Sequence, residues 1–272
     1  MKPQQLDPAG LICTTCDDDH AEVFACAGGA AAIYSRRAPG KETVNEDAAL
    51  LLPLADNAAL LAIADGCGGM PAGDQAALRT LEALATTVRE SGDDPQAGVL
   101  AGFDAANRAV LDMRVGAGST LTAVLIDGPR ARVFYAGDSP ALVTGQRGAI
   151  RFIASPHSPT GFGVEAGLMT EHEAIGHDER SLVLNIIGTP EMFVQVSPPV
   201  DLKPRDTVLL ASDGLSDNLL TDRIVDLARV GRCDRAVEAL AGATRRRMET
   251  HAEGHPDDLT IMLYRPLARR SR

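Results

Sequence analysis

The sequence repeatedly ends an apolar run with an acid followed by a small residue. "LLAIADGCGG" carries Asp65 and Gly66, "FYAGDS" carries Asp138, and "LLASDGLSD" carries Asp213 and Asp217. "VNEDAALLL" and "HPDDLTIML" place Glu46, Asp47, Asp257 and Asp258 just ahead of further apolar runs. One Asp-Gly pair is an ordinary turn. The recurrence means more, because acids at strand ends project beyond a sheet from rigid elements. If those ends converge, they form an oxygen-rich cluster that repels itself unless cations fill it. All-oxygen ligation suits Mg²⁺ or Mn²⁺, which keep several waters and take few protein ligands each. The glycine after Asp65 would let a backbone carbonyl approach such an ion.

The glycine-rich stretch "ADGCGGMPAGDQ" also invites two nucleotide-binding readings, and both fail on spacing. A dinucleotide fingerprint counted from Gly66 and Gly68 places Pro71 where its last glycine belongs. A P-loop counted from Gly68 to Gly73 is followed by Asp74 and Gln75, where Lys and Ser/Thr are needed. An acid directly before a phosphate cradle would also repel the phosphate unless a cation lay between them.

The elements that must carry these acids are short. Residues 21–34 read as one or two strands with a glycine break, followed by a Pro-Gly turn at 39–40 and the strands "VNEDAALLLPL" and 58–64. Asp74 is expected to cap a helix carrying Leu78, Leu81, Ala85 and Val88, which Ser91-Gly92 stops. A second helix shows Val99, Phe103, Ala106 and Val110 on one face. "STLTAVLI", "RARVFYAG" and "PALVTG" are β-type runs joined by tight turns, which predicts antiparallel pairing. Residues 155–192 are polar, with a short helix from about Thr170. "DTVLLAS" is a buried strand, 222–250 is helical, and "LTIMLYR" is the last strand. This order does not alternate regularly, so it predicts an α+β fold of antiparallel sheets covered by helices. With no repeat or linker, residues 1–272 are expected to form one domain, with a variable extension at 1–20 and a basic tail at 266–272.

Composition bounds the partners. A net charge of -11 argues against non-specific binding to nucleic acid or anionic membrane. No apolar run is long enough to span a bilayer, and the opening "MKPQQLDPAG" lacks the signal-peptide pattern. Five cysteines without a paired framework fit a reducing compartment, so cytoplasm is the expected location.

Taken together, "NEDAALLL", "ADGCGGMPAG", "GSTLTAVLI", "AGDSPALV", "ASDGLSDNL" and "DDLTIML" resemble, in order and spacing, the PPM (type 2C) metal-dependent Ser/Thr protein phosphatases of bacterial type, over about residues 30–265. The resemblance implies two antiparallel β-sheets sandwiched between helical layers. It also implies hydrolysis of phosphoserine or phosphothreonine by a water bridging two Mn²⁺ or Mg²⁺ ions, with no protein nucleophile. By this likeness Asp65 would bridge both metals, and the Gly66 carbonyl, Asp213 and Asp257 would serve the first. Glu46 would serve the second, with Asp47 beside it. Asp138 and Asp217 match positions that hold a third metal in bacterial relatives. The implied partner is a phosphorylated protein, the substrate of a Ser/Thr kinase. A non-catalytic sensor or binding module on the same fold, and a phosphatase for small phosphorylated metabolites, are the alternatives.

The substrate-facing positions depart from the family pattern. Glu42 stands where the family has a phosphate-gripping Arg, leaving Lys41, Arg36 or Arg37 to substitute. Cys67 follows the Asp-Gly pair where relatives have His or Met, Pro140 follows "GDS" in place of Arg, and Asp258 replaces Asn. The flap's Asp-His-Ser is Pro156-His157-Ser158, and His157 is the one histidine singled out there, with a structural role expected over a substrate contact. Cys13, Cys16, His20 and Cys26 could count four zinc ligands or hold a redox pair, but incidental thiols are the expectation. Ser139 is expected to be structural, because Pro140 leads into a strand where a nucleophile elbow needs a helix. "RRRMET" at 245–250 is read as a solvated helix face.

Overall fold

The computed structural model describes residues 3–250 and 254–267. Fourteen strands are distributed over two sheets among the described residues. The first sheet contains β1 (Gln4–Gln5), β3 (Glu22–Cys26), β4 (Gly29–Arg36), β9 (Ala141–Thr144), β10 (Ile150–Ile153), β13 (Thr207–Ala211) and β14 (Leu259–Pro266), in the order β1-β3-β4-β14-β13-β9-β10. The second contains β2 (Leu11–Thr14), β5 (Asp47–Ala55), β6 (Ala58–Asp65), β7 (Leu121–Asp127), β8 (Arg130–Ala136) and β11 (Gln195–Val196), in the order β11-β8-β7-β6-β5-β2, with β12 (Val200–Asp201) also on β8. Every pairing is antiparallel except β1 with β3.

Continuous apolar strands are what a sheet covered on both faces requires. Along β5 and β6, Leu51, Leu61 and Ile63 enter the layer between the sheets, where they meet Val133, Val143, Leu210 and Tyr264. Their neighbours Leu50, Leu52 and Leu60 point the other way, onto α1 (Gly73–Glu90) and α2 (Pro95–Leu111). The first sheet turns Leu209, Ile261 and Leu263 outward onto α6 (Thr221–Ala228) and α7 (Cys233–Thr250). The period of two thus separates two core layers along each strand, giving helices, sheet, sheet, helices. The expected sandwich of antiparallel sheets between helical layers is what the chain forms.

Three local expectations change. The helix after the glycine-rich loop starts at Gly73 behind Ala72, whose left-handed backbone (φ 56°) carries no side-chain cap. Asp74 therefore lies inside the first turn and acts only on the helix dipole. The cause is the tight return of the loop, in which a Cβ on Gly66 would stand 2.3 Å from the Gly73 carbonyl oxygen. The helical region at 222–250 is two helices broken around Gly231, which has a φ of +74°. The polar opening holds strand β2, which pairs with β5 across Leu11–Leu51 to Thr14–Ala48.

The segment at 155–192 packs over the strand ends with two short helices. The foreseen one is α4 (Glu171–Ile175), begun by a capping box in which Thr170 and Glu173 exchange hydrogen bonds. The unforeseen one is α3 (Pro159–Glu165), begun by Ser158, whose hydroxyl accepts from Gly161 N–H at 3.0 Å. The remaining helix, α5 (Asp213–Ser216), follows β13 directly. The basic tail lies outside the described residues from position 268 onward.

Candidate metal centre

The strand ends converge. Asp47 and Asp65 face one another across β5 and β6 as direct partners. Gly66 N–H donates to the Glu46 carbonyl at 3.2 Å, which holds the glycine loop against the start of β5. The Asp65 backbone is fixed from β7's lead-in: its carbonyl accepts from Thr120 N–H (2.8 Å) and the Ser119 hydroxyl (2.9 Å), and its N–H donates to Thr120 Oγ1 (3.1 Å). Thr120 Oγ1 also meets Ser139 Oγ at 2.7 Å, fixing the turn that carries Asp138. Ser139 is buried and spent on this contact, so its expected structural role is what the geometry gives.

From the first sheet, Asp213 opens α5 and Asp217 lies one turn on, with Asp217 N–H donating to the Asp213 carbonyl at 2.8 Å. Ser212, at the end of β13, donates its hydroxyl to Asp47 Oδ2 at 2.7 Å, a direct tie between the sheets at the site. Asp257 accepts from Asp258 N–H at 2.8 Å. Asp258 is buried and brackets the loop before β5, accepting from Ala38 N–H, Glu46 N–H and Lys41 Nζ at 2.7, 2.8 and 2.6 Å. Gly214 is obligatory nearby, since a Cβ there would stand 2.2 Å from the Asp258 carbonyl oxygen.

The acids act on one another. Burial pushes the Asp65 carboxyl well above the usual range, and the charges of Asp213, Asp47, Asp257 and Asp138 push it further. Asp47 is raised likewise, by burial first, against the opposing Ser212 hydrogen bond. Burial and neighbouring acids lift Asp138 to about 6, Asp213 and Asp257 to about 7 and Asp217 to about 8. Asp257 has an exposed edge toward solvent, yet its carboxyl feels Asp213 first among its charged neighbours. Buried Asp47 Oδ1 and Asp138 Oδ1 have no hydrogen-bond partner. Buried, mutually repelling oxygens with unpaired acceptors are the donor set that a hard cation satisfies. Among the described residues no three of these side chains form a ready-made coordination shell.

Two cations stand at the rim of the cluster. Lys41, the expected phosphate contact, places Nζ 2.7 Å from Glu46 Oε2 and 2.6 Å from Asp258 Oδ2. Burial opposes its charge, but these two bonds outweigh it and raise its pKa. Arg36 and Arg37 turn away to Asp17 and Asp19. The second rim cation, Arg180, places Nε 3.6 Å from Asp217 Oδ2. It went unforeseen because "HDERSL" reads as plain solvated loop, and only the folding of α3 and α4 over the strand ends brings it in.

His157 is a core residue, as the favoured of its two readings had it. It is 1% exposed and stacks on Tyr135 with ring centroids 4.9 Å apart. Its Nδ1 accepts from Gly137 N–H (3.1 Å) and the Asn185 amide (2.9 Å), which leaves the proton on Nε2, facing Gln195 Oε1 at 3.3 Å. Burial lowers its pKa, so it holds the backbone before Asp138 as a neutral ring. The Cys67 thiol is pushed up to about 12 by burial and by the charges of Asp138 and Asp213, so no thiolate is available. Cys13 and Cys16 are joined in a disulfide, which corrects the expectation of incidental thiols and removes both from a zinc site. Cys26, Cys67 and Cys233 are free.

Known proteins resemble this chain in sequence and fold. The family profile described as "Protein phosphatase 2C" matches residues 36–250. The serine/threonine protein phosphatase PstP of Mycobacterium tuberculosis (strain CDC 1551 / Oshkosh) is 31% identical over 219 residues, 76% of this chain. The chain spans about two fifths (40%) of that relative's length. The crystal structure of the M. tuberculosis phosphatase PstP/Ppp superposes with a TM-score of 0.73 at 28% identity, covering 88% of this chain and 98% of that one. A structure of the PstP catalytic domain in complex with two manganese ions gives 0.72 at 26% identity, with 88% and 98% covered. On profile, sequence and architecture alike, this chain belongs to the protein phosphatase 2C family.

Proposed function

We propose that the chain is a Mn²⁺- or Mg²⁺-dependent phosphatase that removes phosphate from phosphoserine and phosphothreonine in protein substrates. The observation that carries this reading is the partly buried cluster of acids at converging strand ends, with buried Asp47 Oδ1 and Asp138 Oδ1 left without partners. Asp65 would span two ions. The Gly66 carbonyl, Asp213 and Asp257 would complete one, Glu46 with Asp47 beside it would serve the other, and Asp138 with Asp217 would hold a third. The two manganese ions in the PstP catalytic domain support the first two of these ions. When bound, such ions supply Lewis acidity to phosphoryl oxygens and lower the pKa of water.

The chain's own residues do the positioning. Asp65 and Asp213 are the acids on which catalysis depends, each set by backbone bonds that do not involve its carboxyl group. Ser212 orients Asp47, and Asp258 orients the loop bearing Lys41 and Glu46. Lys41 and Arg180 give the rim its positive charge for an incoming phosphate. Cys67 and Ser139 are unsuited to nucleophilic attack, and His157 is walled in and does not serve as proton donor. The partner would be a phosphoprotein made by a Ser/Thr kinase. The acidic charge disfavours nucleic acid, and among the described residues no helix is long and apolar enough to cross a membrane. A cytoplasmic setting is supported by the three free cysteines, whereas the Cys13–Cys16 bond is a feature of oxidising compartments.

The rim gives a first prediction. Lys41→Met should raise KM for a phosphothreonine peptide by roughly tenfold, the loss of one charge-assisted contact. Mn²⁺ affinity should hold or tighten, because the ammonium that competes for Glu46 is gone. Glu42→Arg, on an exposed side chain, should improve kcat/KM at low salt by replacing repulsion with attraction. Weaker Mn²⁺ binding in Lys41→Met, with KM unchanged, would make Lys41 a strut of the loop and nothing more. Calorimetric Mn²⁺ titration beside steady-state kinetics separates the two.

A further inference from the structure

Beside the acid cluster lies a cavity of about 360 Å³ between the segment bearing α3 and α4 and the floor made by β9, β13 and α6. Its walls are Leu142, Ile153, Val164, Ala174, Ile175 and Ile224, and one end opens directly on Asp138, Asp213 and Asp217. Its shape is held in place: Glu171 Oε1 accepts from both the N–H and the hydroxyl of Thr221, at 2.7 and 2.6 Å, latching α4 to the first turn of α6. Glu165 is likewise spent, accepting from the Ser155 hydroxyl at 2.6 Å. The cation lining the cavity, Arg180, sits at Asp217.

We infer that this cavity is a specificity pocket that takes one uncharged apolar side chain flanking the phosphorylated residue of the substrate, an assignment that rests on the phosphatase reading. Continuity with the acids points to the occupant: a chain whose phosphoryl group reaches Asp213 has a neighbouring residue within reach of the cavity. The walls offer apolar surface and few free hydrogen-bonding groups, so a polar side chain entering would lose its water without replacement. The volume is ample for one large side chain and lies at the small end for ligand sites.

The test uses the full chain loaded with Mn²⁺ and sets of phosphothreonine peptides identical except for one flanking residue, Leu, Glu or Lys, moved through the positions on either side. p-Nitrophenyl phosphate, which carries no flanking residue, runs in parallel. At one flanking position Leu should exceed both Glu and Lys in kcat/KM by roughly tenfold or more, the value of burying an aliphatic side chain. Ile153→Glu, on a side chain 50% exposed at the lip, and Ala174→Phe, which fills the space, should each abolish that preference and leave p-nitrophenyl phosphate turnover within about twofold. Equal rates for all flanking residues, a preference for Lys, or a Leu preference that survives both variants would overturn the pocket while the phosphatase stands. Failure to hydrolyse p-nitrophenyl phosphate and every peptide would overturn the phosphatase reading and the pocket with it.

Discussion

Asp65→Asn and Asp213→Asn should each reduce phosphate release by roughly a hundredfold or more while leaving the fold intact. The carboxylate is lost as a cation ligand, but the backbone that carries it is held elsewhere. Asp65 is pinned by Thr120 and Ser119 through its own N–H and carbonyl, so the amide keeps the turn. In the metal-free protein both variants should melt higher than the parent. Each removes a charge whose burial and crowding by neighbouring acids raise its pKa. Thermal melts in chelator, together with phosphate release in Mn²⁺, check both halves. Near-normal turnover in either variant would place the chemistry somewhere else in the fold.

Mn²⁺ should raise the melting temperature by about ten degrees. A ligand at a thousandfold excess over its dissociation constant stabilises by about 4 kcal/mol, and a chain of this size gains about 2–4 °C per kcal/mol. The gain should grow with pH, and its sign follows from the acids. Asp138 titrates at about 6, Asp213 and Asp257 at about 7 and Asp217 at about 8 in the folded chain, all above their ordinary value of 3.8. The folded state therefore holds more protons than the unfolded one between those limits. The cluster's contribution to metal-free stability is present at low pH and is lost as pH rises through 6 to 8. Cations replace those protons, so the Mn²⁺-induced shift should be larger at pH 8 than at pH 6. Asp234, held at about 2, works in the opposite sense but only at far lower pH. Calorimetry at the two pH values, with Mn²⁺ or EDTA, measures the difference, and an equal shift would contradict a carboxylate site.

Much of the fold was legible because strand ends, turns and apolar runs are local signals. Asp65, Asp138, Asp213 and Asp257 announced themselves by sitting where an apolar run meets a small residue or a turn, and the folded chain brings those ends together. What stayed hidden depends on tertiary packing. Asp74 looked like a cap because its residue type favours one, but the close approach of Gly66 and Gly73 moved the helix start back. His157 stood in a polar loop, and only the fold shows Tyr135, Asn185 and Gln195 closing around it. Arg180 carried no pattern, since its position depends on how α3 and α4 lie over the strand ends. Lys41 was legible as a cation near the site, but its partners Glu46 and Asp258 are joined only by long-range pairing of the sheets. Strand β2 was missed because its half-buried residues on a sheet edge lack the apolar run of a central strand.

The most direct measurement is the initial rate of phosphate release from one phosphothreonine peptide by the full chain, in Mn²⁺, in excess EDTA, and in EDTA followed by restored Mn²⁺. Rapid release in Mn²⁺, background in EDTA and recovery on restoring the ion are expected from a partly buried acid cluster that works only around cations. Undiminished release in EDTA, or none under any of the three conditions, would contradict a metal-dependent phosphoprotein phosphatase.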